Sequence, residues 1–128
     1  MTKDTCAFCK LEEGRQSILE TEYFFVVLDR APVNPGHALI ISKRHADNLF
    51  ELTKEEWGDL QTAIHDTKKY LDKKFGAHAY NVGVNNGEIA GQTVMHLHVH
   101  VIPRYKGDVK NPRGGIRSFK DPITDLLD

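Results

Sequence analysis

Only two of the 128 residues are cysteine, both within the first nine, so no disulfide framework braces this chain. Long hydrophobic runs are missing too: the longest, residues 23–28, is far short of a membrane span. The opening Met1-Thr2-Lys3-Asp4-Thr5-Cys6 lacks the apolar stretch of a secretory signal. Nor is there an excess of charge of one sign. Seventeen Lys and Arg against 18 Asp and Glu give a formal net charge of −1, which excludes a grip on duplex nucleic acid made chiefly by neutralising phosphates. These absences lead to the expectation of a soluble, cytoplasmic protein with neither membrane nor duplex nucleic acid as partner. No repeat, low-complexity block or linker divides the sequence, so one domain over 1–128 is expected, with a core at about 5–105 and a tail at about 106–128. Histidine is what the chain has in excess. There are seven, and three fall within five positions.

Residues 23–29 are rich in aromatic and β-branched side chains and read as a strand. Asn34-Pro35-Gly36 is a turn in which Pro presets φ and Gly supplies φ > 0. A second strand over 37–42 follows it directly, so the two are expected to form a hairpin. Thr53-Lys54-Glu55-Glu56 fits a capping box. Trp57, Leu60, Ile64, Leu71 and Phe75 then recur at helical spacing along one face, and Gly76 stands where a helix terminator belongs. Residues 79–84 and 96–102 are strand-like, with the loop 85–91 between them. The class expected is α+β, one long helix against an antiparallel sheet.

His96-Leu97-His98-Val99-His100-Val101-Ile102 alternates with period two, placing three imidazoles on one surface of a strand and Leu97, Val99 and Val101 toward the core. A polar strand face that happens to use histidine is the plainest reading of such a pattern. Two chemical readings stand beside it. Imidazoles on one face are metal ligands. A neutral imidazole is also a nucleophile near neutral pH, suited to phosphoryl or nucleotidyl transfer. Gly91-Gln92-Thr93 just upstream adds an amide, a hydroxyl and backbone N–H groups, donors appropriate to an oxyanion.

Gln92-Thr93-Val94-Met95-His96-Leu97-His98-Val99-His100-Val101-Ile102 resembles the signature of the histidine triad (HIT) superfamily, His-φ-His-φ-His-φ-φ with φ apolar. The likeness reaches upstream to residues 29–37, 40–45 and 84–87. It implies a sheet of about five antiparallel strands with one long helix and a short one. It also implies an enzyme, a nucleotidyl hydrolase or transferase attacking the α-phosphate of purine nucleotide conjugates through a nucleotidyl-histidine. By the resemblance His98 is the nucleophile, His100 contacts phosphate oxygens and helps the leaving group, and His96 and His37 complete the catalytic group. Gln92, Asn85 and Thr93 then hold the phosphates, Asp29 the ribose hydroxyls, and Phe8, Leu11 and Val27 the base. Ile102-Pro103-Arg104 and Pro35-Gly36 look like the diadenosine polyphosphate hydrolases, whereas Asp29 looks like the phosphoramidase branch. Family members are usually homodimers, and the helix face bearing Trp57 is a candidate for that contact. A nucleotide-binding regulatory module with little turnover is the alternative function.

Cys6-x-x-Cys9 has three readings from its residues: free thiols, a redox pair, or half of a zinc site needing two more ligands. No strand precedes the pair, as a thioredoxin-like motif would require. Microbial-type members of the resembled family bind structural zinc through such a pair, a distal histidine and the first histidine of the triad. That implies Cys6, Cys9, His45 and His96 as ligands and no organic cofactor. His65 and His78 match nothing and read as solvated.

Overall fold

The computed structural model describes residues 6–9 and 17–119. Leu11, expected at the base pocket, and the end of the tail from residue 120 lie outside the described residues. Five strands, β1 (Leu19–Glu20), β2 (Phe24–Leu28), β3 (Ala38–Ser42), β4 (Ala79–Gly83) and β5 (His98–Arg104), form one sheet in the order β1-β2-β3-β5-β4. Every neighbouring pair is antiparallel. The helix α1 (Lys54–Phe75) packs on one face of the sheet. Among the described residues no helix is long and apolar enough to cross a membrane.

The β2–β3 hairpin closes through its turn chemistry. His37 N–H donates to the Asn34 carbonyl at 3.1 Å, and Gly36 takes φ 87°. A Cβ at Gly36 would meet the Phe75 ring at 3.0 Å and Pro103 at 3.1 Å, so glycine also lets the end of α1 and β5 close over the turn. Alternation then separates two apolar layers. Phe24, Val26, Ala38, Ile40, Val99 and Val101 face α1 and its Leu60, Ala63 and Leu71. Phe25, Val27, Leu39 and Ile41 face the other way and form a second cluster with Phe8. His98 pairs with Ile41 and His100 with Leu39, which puts both histidines on the face turned away from the helix.

The capping box of α1 is present on both sides: Glu56 N–H donates to Thr53 Oγ1 at 3.1 Å, and Thr53 N–H to Glu56 Oε1 at 2.8 Å. Gly76 ends the helix in the left-handed conformation at φ 68°. The expected apolar face is rotated at its start. Trp57 is 46% exposed, and Glu56 takes the core-facing position at 3% exposure. Its carboxylate is held there by the Arg44 guanidinium at 2.9 and 3.1 Å, which turns a buried charge into a paired one.

The histidine strand begins two residues later than its alternation predicts. Leu97 N–H donates to the Ala46 carbonyl at 2.7 Å instead of joining the strand ladder. At the far end β5 runs on through Pro103, whose carbonyl accepts from Asn34 Nδ2 beyond the end of β3. The proline nitrogen faces the same way, so no ladder bond is lost to it.

Candidate active site and metal cluster

His98 and His100 lie side by side on β5, with ring centroids 5.3 Å apart. Hydrogen bonding assigns their protons. His98 Nδ1 lies 2.9 Å from the His96 carbonyl, an acceptor only, so Nδ1 carries the proton and Nε2 keeps a lone pair. His37, at the start of β3, accepts at Nδ1 from Val33 N–H at 3.1 Å. Its proton therefore sits on Nε2 and is donated to His100 Nδ1 at 2.9 Å. That leaves His100 with Nε2–H as a donor. The Asp29 carboxylate stands 3.6 Å from His37 Nε2, and its other oxygen accepts from Ala31 N–H at 3.0 Å. Asp29, His37 and His100 cluster tightly enough to hold a cation. In the tautomers assigned here the His37 Nε2 proton is shared with His100, so the two imidazoles form a hydrogen-bonded pair with the Asp29 carboxylate beside it.

Burial lowers the pKa of both His37 and His100, and Asp29 opposes the shift in each. For His100 the charges of His98 and His37 add to the lowering. Groups that stay neutral in the fold but protonate in the unfolded chain make stability fall with pH. Their contribution is fully present above the unfolded histidine value, about 6.5, and is lost as pH falls through the lowered folded values. Urea midpoints from about pH 7.5 to about pH 5 are therefore expected to fall more steeply for the wild type than for a His37→Gln/His100→Gln variant. Parallel profiles would contradict these assignments.

Both histidines open on a cleft of about 960 Å³, the size of a nucleotide-scale ligand site. Asp29, Val27 and Leu39 line it from β2, β3 and their connection, Asn85, Gly91 and Thr93 from the loop before the triad, and Phe8 from the N-terminal turn. The Phe8 ring meets His98 edge-on at 4.8 Å. Ile18, Leu28, Arg30 and Val94 also line the cleft and were not singled out in the sequence. Only Arg30 carried a signal, its place beside Asp29 at the end of a strand.

Gln92 does not line the cleft. It is 3% exposed, its Nε2 donates to the carbonyls of Asp47 and Val94, and its Oε1 accepts from Gly87 N–H at 2.8 Å. Both amide protons are engaged by backbone, so Gln92 fixes the shape of the loop that carries Asn85, Gly91 and Thr93. His96 also lies behind the cleft, fully buried, with its carbonyl turned to His98. His65 and His78 are exposed on the surface.

The second cluster forms where the N-terminal turn meets the chain between β3 and β5. His96 Nε2–H donates to the Ser42 carbonyl at 2.7 Å, which directs the Nδ1 lone pair at Cys6 Sγ, 3.1 Å away, and Cys9 Sγ, 3.3 Å away. His45 Nδ1 stands 3.2 Å from Cys9 Sγ. All four donor atoms lie within 4.8 Å of one another. Tetrahedral zinc at ordinary bond lengths separates such ligands by roughly 3.3–3.8 Å, so the set fits that ion in chemistry and in spacing. Cys9 N–H points at Cys6 Sγ at 3.3 Å, and Asp47 stands 3.3 Å from the outer nitrogen of His45.

Comparison with known proteins agrees with this geometry. The HIT domain profile matches residues 10–107. The asymmetrical bis(5'-nucleosyl)-tetraphosphatase of Schizosaccharomyces pombe is 40% identical over 101 residues, 79% of this chain and 56% of that enzyme. Adenosine 5'-monophosphoramidase hnt1 of the same yeast is 40% identical over 103 residues, 78% of this chain and 74% of its own. Among solved structures, a zinc-bound histidine triad family protein from Mycobacterium smegmatis superposes with a TM-score of 0.75 at 32% identity, covering 84% of this chain and 80% of that one.

Proposed function

The chain belongs to the HIT domain family, and on that premise we propose that it is a nucleotidyl hydrolase or transferase that opens purine nucleotide conjugates at the α-phosphate. The observation that carries the reading is the His98 tautomer. With Nδ1–H tied to the His96 carbonyl, the free electron pair of Nε2 stands on the cleft side, ready for in-line attack on phosphorus. A bond forms between His98 Nε2 and the α-phosphorus as the bond to the leaving group breaks, and water or another acceptor then resolves the nucleotidyl-histidine. His100, held by His37, offers its Nε2–H to a phosphate or leaving-group oxygen. Asn85 and Thr93 contact the phosphates, Asp29 accepts from the ribose hydroxyls, and Phe8 and Val27 flank the base. Gln92 acts one step back, by holding the loop.

Cys6, Cys9, His45 and His96 hold a structural zinc ion in this reading. When bound, the ion supplies a cross-link between the N-terminal turn and the triad strand and fixes the His96 ring. The reading also includes pairing of two copies through β4, which among the described residues has a strand on one side only and leaves Val82 41% exposed. The substrate reading is tested by giving one preparation a diadenosine polyphosphate and an adenosine phosphoramidate and following AMP. Release of AMP from at least one is expected, and the ratio of kcat/KM identifies the preferred class. Release from neither would contradict the reading.

A further inference from the structure

The two residues between the cysteines, Ala7 and Phe8, both line the cleft. Residues 7–9 are helical, and Cys9 N–H contacts Cys6 Sγ. Phe8 thus stands on a loop whose two ends are the two thiols. Its ring lies edge-on to His98 at 4.8 Å and to His96 at 6.0 Å, and packs on Phe25, Val27, Leu39 and Ile41. The thiols in turn reach His96 and His45, which belong to separate parts of the chain. A wall of the cleft and two of the candidate metal ligands are therefore one continuous piece of chain.

We propose that metal binding at Cys6, Cys9, His45 and His96 and nucleotide binding in the cleft are thermodynamically linked through Phe8. The proposal rests on the nucleotide reading above. With metal bound, two metal–sulfur bonds would tie the turn to His45 and His96, and Phe8 is fixed as a flat wall for a purine. Without it, the contacts between thiol and imidazole are weak hydrogen bonds of a soft donor, and the turn samples positions in which the wall is displaced. A base stacked on Phe8 selects the held position, and so retains the metal. Linkage is reciprocal: the factor by which zinc tightens nucleotide binding is the factor by which nucleotide tightens zinc. Phe8 is a positioning residue in this scheme, and the base is the part of the ligand that reports on it. The hydrogen bond from His98 to the His96 carbonyl is a separate route from the cluster to the cleft, and it does not pass through the base.

The test uses the zinc-loaded protein as isolated. The equilibrium partition of zinc between the protein and a chromophoric chelator is measured with no ligand, with saturating AMP, and with saturating ribose 5-phosphate, which carries the phosphate and sugar without the base. AMP is expected to tighten zinc binding roughly tenfold and ribose 5-phosphate to leave it unchanged. In Phe8→Ala, which keeps all four ligands, the AMP effect is expected to vanish. Calorimetry on the same samples establishes that AMP is bound. Bound AMP with unchanged zinc partition, an equal effect of ribose 5-phosphate, or an AMP effect that persists in Phe8→Ala would each overturn the linkage alone. Failure of AMP to bind the zinc-loaded wild type would overturn the nucleotide reading, and the linkage with it.

Discussion

His98→Ala is expected to lower kcat by on the order of 10⁴-fold or more, since in the proposed reaction it removes the atom that attacks phosphorus. The remaining groups of the cleft still bind and orient substrate, so KM is expected to change far less. The structural cost is small by comparison. Among the described residues the side chain makes one hydrogen bond, to the His96 carbonyl, and its loss is worth about 1 kcal/mol. A variant with unchanged circular dichroism, unchanged zinc content and no detectable AMP release is the expected result. His100→Gln makes the informative contrast. It removes a donor to the phosphate or leaving group and leaves the nucleophile in place, so a loss of about 10²–10³-fold is expected. A His98→Ala variant with more activity than His100→Gln would reverse the assigned roles.

Cys6→Ser is expected to be the most damaging change to the fold. Cys6 is fully buried and its thiol points at His96 Nδ1, so the change weakens the proposed metal site, which would tie the N-terminal turn to the triad strand. A loss of about 3–5 kcal/mol is expected, lowering Tm by on the order of 10–20 °C in a domain of this size. Chelation of zinc from the wild type should reproduce most of that shift, and restoring zinc should reverse it. Scanning calorimetry on the two proteins, each with its metal content measured, checks both statements. Cys6→Ser with wild-type Tm and one equivalent of zinc would contradict the four-ligand assignment.

Much of the fold is legible in the sequence because local chemistry and tertiary structure agree there. The hairpin turn needs a glycine at positive φ and has Gly36, and the helix start needs a capping box and has Thr53 and Glu56. Alternation likewise puts His98 and His100 on one face. The failures share a cause. Trp57 fits the apolar stripe by spacing, but the core-facing place belongs to Glu56 because Arg44, twelve residues earlier in the chain, holds it there. Gln92 has the donors that a phosphate wants, yet Asp47, 45 residues away, takes one of them. Spacing exposes half of the metal cluster at most. His45 and His96 stand 36 and 87 residues from Cys9, and only the resemblance pointed to them in advance. Ile18, Leu28 and Val94 carried no signal, since apolar cleft walls look like core in a sequence.

The measurement that bears most directly on the central claim is the mass of the protein during its first turnover. Zinc-loaded wild type is mixed with excess diadenosine polyphosphate or adenosine phosphoramidate. The reaction is quenched in alkaline denaturant, which spares the phosphorus–nitrogen bond, and the intact chain is weighed at successive times. The account predicts a transient increase of one adenylyl group, located on His98 by fragmentation and missing from His98→Ala. AMP release with no adduct at any time, or an adduct that survives in His98→Ala, would contradict it.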